Sequence, residues 1–211
     1  LVDRMGILTS RLRSFARRTG AERETIDVGR SVENALALLG HRLAREPMRI
    51  ETRPPSEPVF VRANAVRLEQ ILVNLVSNAF DATRQVEGAR AVIAWTRAGD
   101  RALLTVTDNG PGFPPDILTR IFEPFFTTKT KNGGGLGLGL AISADIARIY
   151  GGSLTAGDGP DGGAVFTLDL PFRDPSEPEP EEEGSVGKPE AEEASLPEIG
   201  PQTASELHDR H

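Results

Sequence analysis

The chain of 211 residues has no cysteine, one tryptophan, one tyrosine and three histidines. Without cysteine it can form neither a disulfide framework nor a thiolate metal site, which suits a reducing compartment. Long apolar runs are missing too. None approaches the roughly 20 residues needed to cross a bilayer, and the first residues lack a signal-peptide pattern. Leu1 falls inside a helical pattern, so the chain reads as a fragment, and any membrane segment of a parent would lie outside it. A Gly-x4-Gly-Lys-Ser/Thr phosphate loop is also absent. What remains is 38% hydrophobic, enough for one full-sized core with appendages.

The net charge of -7 is unevenly spread. From Asp174 to His211 there are 12 acidic residues against Lys188 and Arg210, a balance of -10, so residues 1–173 carry +3. That last stretch is rich in Pro, Glu, Ser and Gly, cannot bury enough apolar surface to offset ordering, and is expected to be a disordered acidic tail; an acidic docking arm is the alternative. At the other end, Leu1, Met5, Leu8, Leu12 and Phe15 recur in steps of four and three, the seam of a helix that packs on a partner. Arg4, Arg11, Arg13, Arg17 and Arg18 lie off that seam without interleaved aromatics, which argues against direct nucleic-acid binding.

Between the two ends, helix and strand signals alternate. Val28, Val32, Leu36, Leu39 and Leu43 mark an amphipathic helix ended by Pro47, and short strands are expected at 49–52 and 59–61. A second helix covers about Val66 to Gln85. Residues 91–96 and 103–107 read as a strand pair joined at Ala98-Gly99-Asp100, 138–150 as a helix, and 153–155 with 164–170 as a closing hairpin. The sum is a two-layer α/β sandwich: one mixed, mainly antiparallel sheet with helices on one face.

Three constellations could carry chemistry. On the second helix Arg67, Gln70, Asn74, Asn78 and Asp81 share a stripe about 80° wide, opposite Leu68, Leu72, Leu75, Val76, Ala79 and Ala82. The stripe is either a solvated face or a polar lining in which Asn78 offers a neutral oxygen to Mg²⁺. Asp108, followed by Asn109-Gly110-Pro111-Gly112, is either a plain turn or a carboxylate able to accept a hydrogen bond from an adenine amino group. The glycine series from Gly133 to Gly139 could be a linker. It runs directly into a helix, however, whose free amides and positive dipole end favour phosphate.

Taken in order, RLEQILVNLVSNAFDA, DNGPGF, IFEPFFTTK and GLGLGLAI resemble the N, first glycine, F and second glycine boxes of bacterial sensor histidine kinases, most closely the C4-dicarboxylate and nitrogen sensor kinases. The resemblance implies the histidine kinase/gyrase-type ATPase fold over residues 21–173. It further implies that residues 1–20 are the C-terminal part of a dimerisation hairpin helix and that residues 174–211 are a tail. The implied cofactors are ATP and Mg²⁺, with Asn78 on the metal, Asn74 and Asp81 beside the phosphates, and Asp108, Gly110 and Gly112 around adenine. The segment between the glycine boxes would be a mobile lid. Phe122, Phe125 and Phe126 would anchor its near end, Lys129 or Lys131 could reach phosphate, and Gly135, Leu136, Gly137, Leu138, Gly139 and Leu140 would form the far hinge and phosphate turn. Core packing is the alternative for the phenylalanines, and solvated loop charge for the lysines.

The implied activity is ATP-dependent histidine phosphorylation, on a hairpin helix that would precede Leu1, for relay to a response regulator aspartate. The implied partners are that hairpin, the cognate regulator and a second copy in a homodimer. The domain would be cytoplasmic, in a parent that could be an inner-membrane sensor. No catalytic residue is assigned within the chain: His41 lies off the apolar helix face, and His208 and His211 lie in the tail. Three positions depart from the family. Asp81 stands where many members place a phosphate-facing lysine, so a cation must come from elsewhere, such as Arg84 or the lid. Leu136 replaces a common threonine, and Asn64 replaces an aspartate as a helix cap. The same pocket also resembles the clamp ATPases of topoisomerases, mismatch-repair proteins and a heat-shock chaperone. Those need a water-activating glutamate four residues before the metal-binding Asn, where this chain has Asn74, and Glu69 is nine residues away. A nucleotide-binding module without catalysis is the third reading.

Overall fold

Strict alternation of apolar residues builds the sheet, and one long amphipathic helix covers it. The computed structural model describes residues 23–46, 48–128, 136–159 and 162–178. Strand β1 (Glu24–Asp27) leads into α1 (Val28–Leu38) and the single turn α2 (Gly40–Leu43), then β2 (Arg49–Arg53), β3 (Phe60–Ala63) and α3 (Ala65–Thr83). There follow β4 (Arg90–Ala98), β5 (Arg101–Asp108), α4 (Pro115–Leu118), α5 (Gly139–Ile149), β6 (Ser153–Asp158) and β7 (Ala164–Pro171). The expected Leu1–Arg18 helix lies outside the described residues, as does the acidic stretch from 179 onward. Asp174–Glu177, counted with the tail on composition, folds back as a turn in which Arg173 pairs with Glu177 at 2.5 Å.

Five strands form one sheet in the order β2-β4-β5-β7-β6, with β2 parallel to β4 and the other pairs antiparallel. The mixed, mainly antiparallel sheet is as expected. One strand differs: β3 leaves that sheet and pairs with β1 in a separate two-stranded ladder, Ile26 opposite Val61. With only four residues, Glu-Thr-Ile-Asp, β1 is too short for alternation to announce it.

The first helix is also shorter than its apolar pattern implies. Asp27 caps it by accepting from the Gly29 amide at 2.8 Å, and it stops at Leu38, with buried Leu39 as its C-cap just before the poor helix former Gly40. The chain restarts as α2, which carries Arg42 toward α3. Asn64 caps α3, accepting from the Arg67 amide at 3.2 Å, as its position suggested. Leu68, Ile71, Leu72, Leu75, Val76, Ala79, Phe80 and Thr83 form its buried face. Ala82 was expected there but is exposed, because it lies only about 40° around the helix from Asn78.

On the sheet side, Ala102, Leu104, Val106 and Asp108 of β5 and Ala164, Phe166, Leu168 and Leu170 of β7 face the core. Each large side chain fully buried in this layer contributes about 1.5–3 kcal/mol of transfer free energy. The same alternation therefore delivers one carboxylate, that of Asp108, to the helix-facing side of the sheet.

Candidate nucleotide site

Asp108 ends the inward row of β5 and is 5% exposed. A carboxylate in that position needs donors. Its Oδ1 accepts from the Gly110 amide at 2.8 Å and from the Ala164 amide at 3.2 Å, so Oδ2 is the oxygen these bonds leave to a ligand. Burial pushes the Asp108 carboxyl above the ordinary carboxylate range, and the two amide bonds oppose that shift.

The approach of β7 makes this arrangement possible. Gly163, at φ +78°, passes so close that a Cβ would stand 2.0 Å from the Asp108 carbonyl oxygen. Gly112, in turn, adjoins Asp158 at the end of β6, whose Oδ1 accepts from the Phe113 amide at 3.2 Å. Gly163, Ala164 and Asp158 were not singled out from sequence. The Gly162-Gly163 pair ahead of a strand was the available signal for the first two, and Asp158 offered none.

Along α3 the polar stripe divides. Asn74 reaches across to α5, its Nδ2 donating to Ser143 Oγ at 3.1 Å. Asn78, one turn on, is half-buried on the same face. Asp81, on the same stripe, is engaged by α2 instead. Its Oδ1 lies 2.5 Å from Arg42 of α2, and Arg42 also engages Glu46 at 2.9 Å and covers the Phe80 ring at 4.8 Å. Arg84 comes only within 3.9 Å of Asp81. The geometry thus gives Asp81 the work of holding α2 to α3, a role the helical wheel could not show. Glu69 is likewise engaged away from the stripe, accepting from Asn34 at 2.8 Å.

The third wall is the start of α5. Leu138 occupies its cap position, and its side chain satisfies none of the first-turn amides. Just before it, Gly137 adopts φ +67°, and a Cβ there would meet the Phe126 carbonyl oxygen at 2.5 Å. Phe125, itself at φ +69°, donates its amide to the Gly137 carbonyl at 2.9 Å. The two described ends of the segment between the glycine boxes are therefore pinned together. Phe122 and Phe126 pack on the core, whereas Phe125 is 55% exposed, so the aromatic group has no single role. Leu136 is exposed, and Leu138 and Leu140 are half-buried. Lys129, Lys131, Gly133 and Gly135 lie outside the described residues.

The residues present fit a purine nucleotide. A buried carboxylate with one oxygen to spare ends β5, and α5 opens with a cap residue that makes no side-chain bond to its amides. Among the described residues no group of three or more His, Cys, Asp and Glu could hold a metal ion. A divalent cation would therefore need a neutral oxygen, such as that of Asn78, together with phosphate oxygens.

Residues 63–174 match the family described as histidine kinase-, DNA gyrase B-, and HSP90-like ATPase. The chain belongs to this family. The matched stretch begins just before α3 and ends after β7, so it takes in every wall of the cleft. Among curated proteins the chain is 40% identical over 181 residues to the two-component sensor PprA of Pseudomonas aeruginosa, covering 83% of this chain and 19% of that protein. It is 38% identical over 173 residues to the C4-dicarboxylate transport sensor protein DctB of the same organism, covering 81% and 28%. The chain therefore spans less than a third of the length of these relatives. Among solved structures, the catalytic domain of histidine kinase ThkA superposes with a TM-score of 0.64 at 28% identity, over 72% of this chain and 96% of that one. This ATPase-family domain is of the histidine kinase type, with an ATP-binding catalytic fold and the dicarboxylate sensor subgroup among its relatives. Among the described residues no helix is long and apolar enough to cross a membrane.

Proposed function

We propose that this domain holds Mg-ATP for transfer of the γ-phosphoryl group to a histidine on a dimerisation hairpin, for relay to a response regulator aspartate. The phosphoryl group comes from ATP, and the cation neutralises charge between its phosphates. Everything else is positioning by the chain. Asp108 Oδ2 accepts from the adenine amino group, Gly110 and Gly112 shape the turn around the base, and Asn78 supplies an oxygen to the cation. Asn74 lines the phosphate side, and the amides opening α5, from Gly139 and Leu140, receive phosphate oxygens. Leu136 and Leu138 contribute through backbone alone, since their side chains offer no hydrogen bond. Asp81 belongs to this reading only indirectly, as the residue that ties α2 to α3.

One observation carries the choice of a kinase over a hydrolytic clamp. The position one helical turn before Asn78 holds the amide of Asn74, already bonded to Ser143, and the carboxylate of Glu69, nine residues before Asn78, is bonded to Asn34. An amide cannot take a proton from water, so nothing at that position prepares water as the nucleophile. The acceptor histidine in this reading comes from another segment, and His41 is an exposed residue of the single turn α2. The partners in this reading are that hairpin, a second copy of the parent and a response regulator, with the domain on the cytoplasmic side of a sensor.

The test is transfer of labelled γ-phosphate from Mg-ATP to the parent's hairpin. Acid-labile, base-stable label on the hairpin, abolished by Asn78→Ala, supports the proposal. Phosphate released only into solution would replace it with the hydrolytic reading.

A further inference from the structure

Ser143 is 1% exposed on a face of α5 otherwise made of Ala141, Ala144, Ile146 and Ala147. A hydroxyl buried among alanines and isoleucine costs stability unless it is bonded. Its partner is the Asn74 carboxamide, 3.1 Å away and 69 positions earlier in the chain. That carboxamide is wedged on its other side as well. A Cβ on Gly139 would stand 2.2 Å from Asn74 Oδ1, so the absence of a side chain at 139 makes room for the amide. Asn74 therefore sits between two successive turns of α5, against the Cα of Gly139 and the hydroxyl of Ser143.

The two helices joined here are the ones a triphosphate must bridge. Asn78 lies one turn beyond Asn74 on α3, and the uncapped amides of α5 begin one turn before Ser143. Resting on the nucleotide reading above, we infer that Ser143 is a positioning residue, which through Asn74 fixes the spacing and rotation of the metal helix against the phosphate helix. It does not touch the base. Adenine recognition at Asp108 is built on β5 and β7 and does not pass through this contact.

The inference separates phosphate binding from base binding, a difference that the full chain can reveal. Binding of Mg-ATP, Mg-ADP and adenosine is measured for the unaltered chain, Ser143→Ala, Asn74→Ala and the double variant, with thermal unfolding of each. Ser143→Ala is expected to weaken Mg-ATP about tenfold, the value of one hydrogen bond. Adenosine affinity should be unchanged. The double variant should bind Mg-ATP no worse than Asn74→Ala alone, because the hydroxyl acts only through the amide. Ser143→Cys, which keeps the volume but accepts hydrogen bonds poorly, should behave like the alanine variant in Mg-ATP binding while unfolding close to the unaltered chain. Equal loss for all three ligands, or losses that multiply in the double variant, would overturn the inference and leave the site standing. An unaltered chain that bound none of the three would overturn both.

Discussion

Replacing Asp108 by Asn should separate the stability of the domain from its ligand recognition. Asparagine is nearly isosteric, and its Oδ1 can keep both bonds, from the Gly110 and Ala164 amides. What changes is the second atom, which turns from a charged acceptor into an N–H₂ donor. A charge-assisted hydrogen bond to the adenine amino group is worth about 1.5–3 kcal/mol, so adenosine and ATP affinity should fall roughly 10- to 150-fold. Inosine, which presents a carbonyl where adenosine presents its amino group, should lose most of its disadvantage.

Stability should move the other way. Burial raises the Asp108 carboxyl above its ordinary range, so the folded state favours the protonated form. The stability this gives is fully present below the unfolded value, near pH 4, and is lost as pH rises through the raised folded value. At pH 7 the ionised wild type therefore carries a desolvation cost that Asp108→Asn does not, and the variant should be as stable or more so. The wild type should gain on it as the pH is lowered toward 4. Urea unfolding followed by the fluorescence of Trp95, which packs against the core, reads this directly. A variant less stable at pH 7 by more than about 1 kcal/mol, with the gap closing in acid, would mean that the ionised carboxylate stabilises the fold. Unchanged adenosine affinity would remove Asp108 from recognition altogether.

Gly137→Ala should be costly whatever happens to nucleotide. It puts a side chain at φ +67° and a Cβ 2.5 Å from the Phe126 carbonyl oxygen, which should cost about 1–3 kcal/mol and break the Phe125 to Gly137 bond, detectable as a lowered unfolding midpoint in urea. The Arg42 and Asp81 side chains are 25% and 27% exposed, so breaking their pair by Arg42→Ala should cost about 1–3 kcal/mol, between the values for open and buried pairs. In a double-mutant cycle Asp81→Ala should couple to it, and a coupling near zero would show that the two helices are joined by packing alone.

Much of this domain could be read from local pattern. Period two in Ala102, Leu104 and Val106 and the apolar stripe of α3 foretold the sheet and its principal helix, and the glycine turns foretold where Asp108 and Gly139 would stand. Contacts between residues far apart in sequence were not legible. Nothing local marks Ser143 as the partner of Asn74, Ala164 as a donor to Asp108, or Arg42 as the cation facing Asp81, since each pair is 39 or more positions apart. A helical wheel records which residues share a face but not which neighbour covers it. This is why the Arg42 partner of Asp81 was not legible and why Ala82 looked like core. The separate β1–β3 ladder was missed for the same reason, because a four-residue strand is defined by its partner rather than by its own periodicity.

Those long-range contacts differ in kind at the two ends of the cleft, and the difference bears on how a nucleotide would be held. At the base end Asp108 is fixed by backbone amides from its own turn and from β7, and Gly163 leaves no space for the strands to slide. Such a carboxylate is set before any ligand arrives, so base binding should cost little ordering. At the phosphate end of the proposed site, one amide and one hydroxyl join α3 to α5 besides their apolar packing, and a backbone bond from Phe125 to Gly137 pins the chain just ahead of α5. The buried Ala144, Ile146 and Ala147 of α5 belong to the same core as the sheet, so this end too rests on apolar packing besides its polar bonds. In the proposed reading the base is therefore held from the sheet, and any adjustment that brings phosphate toward an acceptor is expected on the α5 side, which no sheet ladder fixes.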